Sequence, residues 1–316
     1  MVRTILTWRI LDEDLVGTFH VPTPGRAGGL SGAPSVGILL LNPGAAPRSG
    51  NSDLSVRIGD RLALRGFPVF RFDLPGLGDS SGLIPADVNA YWDEVVNGRN
   101  DEATMALIER IRLEFGVARI IVGGLCAAAL PSVRALSRAS AAPAGLILLE
   151  PSFRLAGQGK PERARLATGI APFGRSAAEL VRTFFSLGLS RESWIARTAR
   201  PLRARLQGAL RWPVGPPLPR DANVPLVTRW QESFGRGVRS LVVVAAGPGT
   251  DRYMKRILAS MPARAPGVVS CVRVPGTNHL FTSGVGRDAV LAALERWMME
   301  GFAGNAEPAV HPASGS

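Results

Sequence analysis

The sequence predicts an α/β protein: a mostly parallel central sheet, helices on both faces, and one inserted helical segment. Three observations lead there. Short apolar runs recur with helix-period stretches between them. Several of those runs end in Gly, Pro or Asp turns. The rhythm stops once, across residues 151–235, and then resumes.

Leu15–Val21 reads as an early strand and Val36–Leu41 as a buried one, ending at Asn42-Pro43-Gly44. Leu54, Ile58 and Leu62 recur at i, i+4 and i+8, which predicts a helix with Asp53 near its N-terminus. Phe67–Phe72 is the next strand, and Met105, Ile108, Ile111 and Phe115 mark a longer helix. Ala118–Val122 is a strand, with a helix from Cys126 to Ser137 straight after it, and Ala144–Leu149 is the strand that follows. After the break come a strand over Leu241–Ala246, a helix from about Asp251 and a strand over Val268–Val274. The last helix carries Val290, Leu294 and Trp297. Residues 1–150 and 236–301 are therefore expected to form the core, 151–235 an Arg-rich helical lid, and 302–316 a disordered tail.

Composition narrows the class. Of 316 residues, 46% are apolar and 20% charged, enough apolar material for a sizeable core and too much for wholesale disorder. Two cysteines and three histidines exclude a disulfide framework, and none has metal-ligand spacing, so no metal is expected. Gly76-x-Gly78-x-x-x-Gly82 misses the dinucleotide fingerprint by one residue, and Gly159-Lys160 lacks the first glycine of a phosphate loop, so no cofactor is expected. The first residues, MVRTILTWRILDEDL, have acids where a signal peptide needs its apolar core, and no apolar run is long enough to span a bilayer. A cytoplasmic location is expected on that basis.

The net charge is +12, and among the basic residues only Lys160 and Lys255 are lysine. Residues 151–220 hold twelve arginines and one lysine against Glu162, Glu179 and Glu192, so most of the excess lies in the expected lid. A solvated arginine-rich face accounts for this, and so does steering of an anionic substrate or acidic carrier protein. Membrane-surface contact through Leu180, Phe184 and Leu187 beside Arg175 and Arg182 is the weaker alternative. Nucleic acid is not expected, because no binding module accompanies the charge.

The chemistry centres on Gly124-Leu125-Cys126-Ala127-Ala128, a G-x-C-x-A stretch at a predicted strand-to-helix junction. A nucleophile elbow forces its central residue into strained backbone angles, so the positions two before and two after must be small. Gly124 and Ala128 satisfy that. A helix opening behind Cys126 would favour its thiolate. A small buried apolar cysteine is the competing reading of the pattern alone.

With these residues in place, the chain resembles the α/β-hydrolase superfamily, with cysteine where serine is usual. Leu41-Asn42-Pro43-Gly44-Ala45-Ala46 is similar to the loop that supplies one oxyanion-hole amide. Arg71-Phe72-Asp73-Leu74-Pro75-Gly76-Leu77-Gly78-Asp79-Ser80 resembles the superfamily's turn, and Pro275-Gly276-Thr277-Asn278-His279 resembles the loop of its catalytic histidine. The resemblance implies an α/β-hydrolase fold with Cys126 as nucleophile, His279 as general base and Asp251 as the acid. Glu150, at the end of the strand after the elbow helix, is the alternative acid. It also implies oxyanion donors at the Ala127 amide and, through the loop, the Ala45 amide. Asp73 and Asp79 are expected in turn chemistry, and His20 and His311 in no catalytic role. Asn42-Pro43-Gly44 departs from the His-Gly of many members.

A cysteine acyl-enzyme is itself a thioester, so exchange with a thioester substrate is near neutral in energy. An acyl ester or thioester hydrolase is therefore expected, its substrate a small molecule or an acyl group on coenzyme A or a carrier protein. The alternatives are an acyltransferase, cyclase or elimination enzyme, and a non-catalytic binding protein on the same scaffold.

Overall fold

The computed structural model describes residues 1–25, 36–138, 143–155, 217–247, 249–261 and 267–303. Eight strands form one sheet: β1 Arg3–Ile10, β2 Glu13–His20, β3 Val36–Leu40, β4 Val69–Phe72, β5 Arg119–Leu125, β6 Gly145–Leu149, β7 Arg239–Ala245 and β8 Val269–Val274. Their order is β1-β2-β4-β3-β5-β6-β7-β8. The first two pairings are antiparallel and the other five parallel. Helices α1 Leu54–Leu64, α2 Val88–Val96, α3 Asp101–Phe115, α4 Ala129–Arg138, α5 Val224–Phe234, α6 Thr250–Ala259 and α7 Gly284–Phe302 cover it.

The strand alternation sorts side chains to two faces. Ile38 and Leu40 point to one, with α1 and α7, where Leu54, Ile58 and Leu62 meet Leu294, Trp297 and Met298. Leu39 and Leu41 point to the other, with Leu107 and Ile111 of α3, Leu130 and Val133 of α4, and Trp230 of α5. Strands buried on both faces read as continuous apolar runs, which is why β3, β5, β6 and β7 are legible in the sequence.

Two elements carried no such signal. β1 is exposed along most of one edge and pairs with β2 through a two-residue turn, Leu11-Asp12, with both residues at positive φ. That backbone suits a tight hairpin, but leucine is an unusual occupant of it. Helix α2 is short, buries Tyr91 and Val95, and is capped by Asp87, whose carboxylate accepts the Ala90 N–H at 3.0 Å. At α1, Asp53 is the N-cap residue but makes no side-chain capping bond.

Most of the segment expected as a lid lies outside the described residues, including Leu180, Phe184 and Leu187. In its described parts, Phe153 and α5 pack among core residues. The Phe153 and Trp230 rings lie 5.2 Å apart, and the Trp230 indole N–H donates to Ser240 of β7 at 2.9 Å. Helix α7 runs to Phe302, which is buried beside Trp297, and the tail from residue 304 lies outside the described residues.

Candidate active site

Parallel strands deliver their following loops to one edge of the sheet, so the residues after β3, β5, β6, β7 and β8 gather there. Register makes this specific. Leu40 pairs with Gly123, the Leu41 N–H donates to Gly123 O at 2.9 Å, and Leu125 pairs with Leu149. The chain leaves β5 at Leu125 in extended backbone, and Cys126 then takes φ +56° at the start of a 3-10 turn over Cys126–Ala128 that runs into α4. A non-glycine residue held at positive φ between strand and helix is the strain a nucleophile elbow requires.

The small residues around it are sterically demanded. A Cβ on Gly124, at φ +148°, would lie 2.8 Å from the Ala128 Cβ and 2.8 Å from Leu41 O. A Cβ on Gly123 would lie 2.0 Å from Ile147 O of β6. Cys126 is partly buried and, like Cys271, forms no disulfide. The Ala127 N–H lies in the first turn of the helical segment, where backbone donors have no intrahelical acceptor.

The loop after β3 is held from two sides. Its Pro43–Ala46 turn places Gly44 at φ +67°. Asn42 donates to Ala46 O at 2.9 Å and to Asp73 Oδ1 at 2.8 Å, and its own Oδ1 accepts the Leu74 N–H at 2.7 Å. Asp73 is fully buried and also accepts from the Arg48 and Asp79 backbone N–H groups and the Arg48 guanidinium. Asp73 therefore anchors both its own turn and the loop opposite. Asn42 is what replaces the familiar histidine, and its amide uses its donors and its acceptor. On the other side, the Tyr91 hydroxyl donates to Gly44 O at 3.1 Å. Tyr91 was not legible as a site residue, since α2 itself was not. Its pairing with Val95 at i and i+4 was the available signal.

His279 is exposed in the loop after β8. Asn278 shapes that loop, accepting the Leu280 and Thr282 N–H groups at 3.2 Å each and donating to the Thr282 hydroxyl at 2.8 Å. Phe281, at φ +52° and fully buried, fastens it to the core.

The two candidate acids differ sharply. Asp251 is buried in the first turn of α6, where Oδ1 accepts from Arg273 at 2.7 Å and Oδ2 from Lys255 at 2.9 Å. Burial pushes its pKa upward, but those two cations outweigh it and hold the carboxyl below its usual range. Glu150 follows β6 at φ +48° and is 3% exposed. It accepts from the Ala245 N–H and the Thr250 hydroxyl. Burial pushes its pKa up, and the neighbouring Asp251 charge adds to that rise. Among the described residues, no group of three or more His, Cys, Asp and Glu is arranged to hold a metal ion. No helix among them is long and apolar enough to cross a membrane.

Residues 38–293 match the sequence model of the Alpha/beta hydrolase family. The chain belongs to that family. No curated protein matches this alpha/beta hydrolase by sequence. Among solved structures it is similar to an esterase of Pyrococcus furiosus (TM-score 0.54, 14% identity, 94% of this chain and 92% of that one covered). It is also similar to an alpha-beta serine hydrolase homologue from Coxiella burnetii (0.53, 13%, 94% and 98%). A third likeness is to the thioesterase domain from the curacin biosynthetic pathway (0.52, 14%, 94% and 99%). At these identities the likeness establishes the fold and leaves the chemistry to this chain's own residues.

Proposed function

We propose that this alpha/beta hydrolase cleaves acyl esters or thioesters through a covalent intermediate on Cys126. The observation that carries this reading is the Cys126 backbone, a non-glycine residue at φ +56° between β5 and α4 with Gly124 and Ala128 packed beneath it. A merely buried cysteine needs none of that strain. The esterase and thioesterase among the structural neighbours support the reaction class.

In the first half-reaction the Cys126 thiol gives its proton to His279, its sulfur bonds to the substrate carbonyl carbon, and the C=O π pair moves onto oxygen. The Ala127 and Ala45 N–H groups hold that oxyanion. Collapse restores the carbonyl and expels the thiolate or alkoxide, which takes a proton from His279. Water then attacks the thioester carbon, giving its proton to His279. Collapse releases the carboxylic acid and returns the Cys126 sulfur to the protonation state it began in.

The imidazolium needs a carboxylate. Asp251 already neutralises two cations, whereas the partners that Glu150 accepts from are uncharged. This favours Glu150 as the orienting acid, with Asp251 as the second reading. The basic segment at 151–220 fits an anionic substrate, such as an acyl group on coenzyme A or on an acidic carrier protein.

Intact-mass measurement of wild type and Cys126→Ala, mixed with acetyl, butyryl and octanoyl thioesters, tests the reading. An acyl adduct or released acid from wild type alone is expected. Equal product from Cys126→Ala would exclude the cysteine as nucleophile. Adduct decay that requires an added alcohol or amine would make the enzyme a transferase.

A further inference from the structure

We propose that Tyr91 is a positioning residue for the oxyanion hole, locking the Gly44–Ala45 peptide so that the Ala45 N–H is presented as a donor. The proposal rests on the acyl-transfer reading above and adds a residue to it.

The geometry starts from one peptide plane. The Gly44 carbonyl and the Ala45 N–H belong to the same amide, and in a trans peptide they point to opposite edges. The carbonyl edge is fixed, because Gly44 O accepts the Tyr91 hydroxyl at 3.1 Å in a buried contact. Gly44 is buried and Ala45 exposed, so this amide spans the boundary between core and site edge. The loop leaves β3 directly beside β5, with Leu41 bonded to Gly123 and its carbonyl against Gly124. The Ala45 amide is thereby carried on the neighbour of the strand that ends at Cys126.

Such a lock has work to do at this position. Glycine has the least backbone restraint, and an amide following it can rotate at low cost to aim its N–H elsewhere. The network of Asn42 and Asp73 pins the loop at Asn42, Ala46 and Arg48 but makes no bond to the Gly44–Ala45 amide. Tyr91 fills that gap. Trp92 supports it, since a Cβ on Gly44 would lie 2.7 Å from the Trp92 ring, so indole and glycine are in close contact. The hydrogen bond also polarises the amide, making its N–H a stronger donor to the developing oxyanion. Burial holds the phenol above its ordinary pKa, so the hydroxyl keeps its proton across the working range.

Tyr91→Phe removes only the donor. The test compares two reactions of the same thiol. Acylation by the acetyl, butyryl and octanoyl thioesters of N-acetylcysteamine needs the oxyanion hole. Alkylation by iodoacetamide needs the thiolate and access but develops no oxyanion. Losing one direct oxyanion donor costs about 10²–10³ in rate, and loosening one costs less. The variant is expected to acylate about tenfold more slowly, with KM little changed and iodoacetamide alkylation at the wild-type rate. Tyr91→Leu, which also removes the ring, should slow acylation further. Equal slowing of both reactions in Tyr91→Phe would make Tyr91 a packing residue and overturn the proposal. So would wild-type acylation. If wild type itself forms neither adduct nor product with any thioester, the nucleophile reading fails first and the proposal falls with it.

Discussion

The Nε of Arg71 donates to Nε2 of His20 at 2.7 Å, deep under the sheet edge where neither side chain reaches solvent to any extent. That bond fixes the imidazole tautomer. Nε2 is the acceptor, so the proton sits on Nδ1 and is donated to Asp60 Oδ1 at 2.9 Å. Burial, helped by the Arg71 charge, lowers the His20 pKa to about 4. Gly59 makes room for the ring, since a Cβ there would lie 2.5 Å from Nε2.

His20 therefore sets part of the acid stability. Above its unfolded pKa near 6.5, the imidazole is neutral in both states and contributes no slope. Between that pH and about 4, the unfolded chain binds a proton that the folded chain refuses, so stability falls as pH falls. The loss totals about 3 kcal/mol. His20→Gln should flatten that part of the profile, as measured by urea midpoints from pH 7 to pH 4. An unchanged slope would remove His20 from the account.

Asp73→Asn should cost about 1–3 kcal/mol, because it takes the buried charge from the Arg48 guanidinium, which keeps Asp79 at 2.7 Å, and from a set of backbone donors. Since Asp73 also accepts from Asn42, the same change should slow acylation. Urea unfolding and single-turnover kinetics read the two effects separately. Full stability in the variant would show that the network carries little energy.

The two candidate acids predict opposite stability effects. Glu150, with its pKa raised by burial, favours the folded state at low pH and opposes it as pH rises past the unfolded value. Glu150→Gln should therefore raise the melting temperature at pH 7 while lowering kcat. Asp251, held low, contributes stability above its unfolded pKa that is lost on acidification. Asp251→Asn should lower stability by about 1 kcal/mol, its two cations being half-exposed. The larger kcat loss identifies the acid.

Iodoacetamide should label Cys126 well before Cys271. Burial pushes the Cys271 thiol above its ordinary pKa, leaving little thiolate near neutrality, while Cys126 begins a helical turn. Peptide mass mapping after brief labelling reads the ratio. Preferential labelling of Cys271 would contradict the assignment of the reactive thiol.

Gly124→Ala should abolish acylation and lower the melting temperature, because the added methyl meets Ala128 and Leu41 O at contact-breaking distance on a backbone that L residues rarely adopt.

The sequence by itself determined the parallel strands, the elbow and the histidine loop. Doubly buried strands are mostly apolar, and the elbow tolerates only small neighbours, so both constraints are written in local composition. Only the tertiary structure decided the rest. The antiparallel β1 is an edge strand with a turn that no residue signals, and α2 offers only the single Tyr91–Val95 pair at helical spacing. Asp73 and Tyr91 reach the loop that begins at Asn42 from two distant stretches of chain, and local patterns carry no record of that meeting. Asp251 and Glu150 look alike as post-strand acids. Their difference lies in Arg273 and Lys255, which fold beside the Asp251 carboxylate, whereas Glu150 accepts from the uncharged Ala245 N–H and Thr250 hydroxyl.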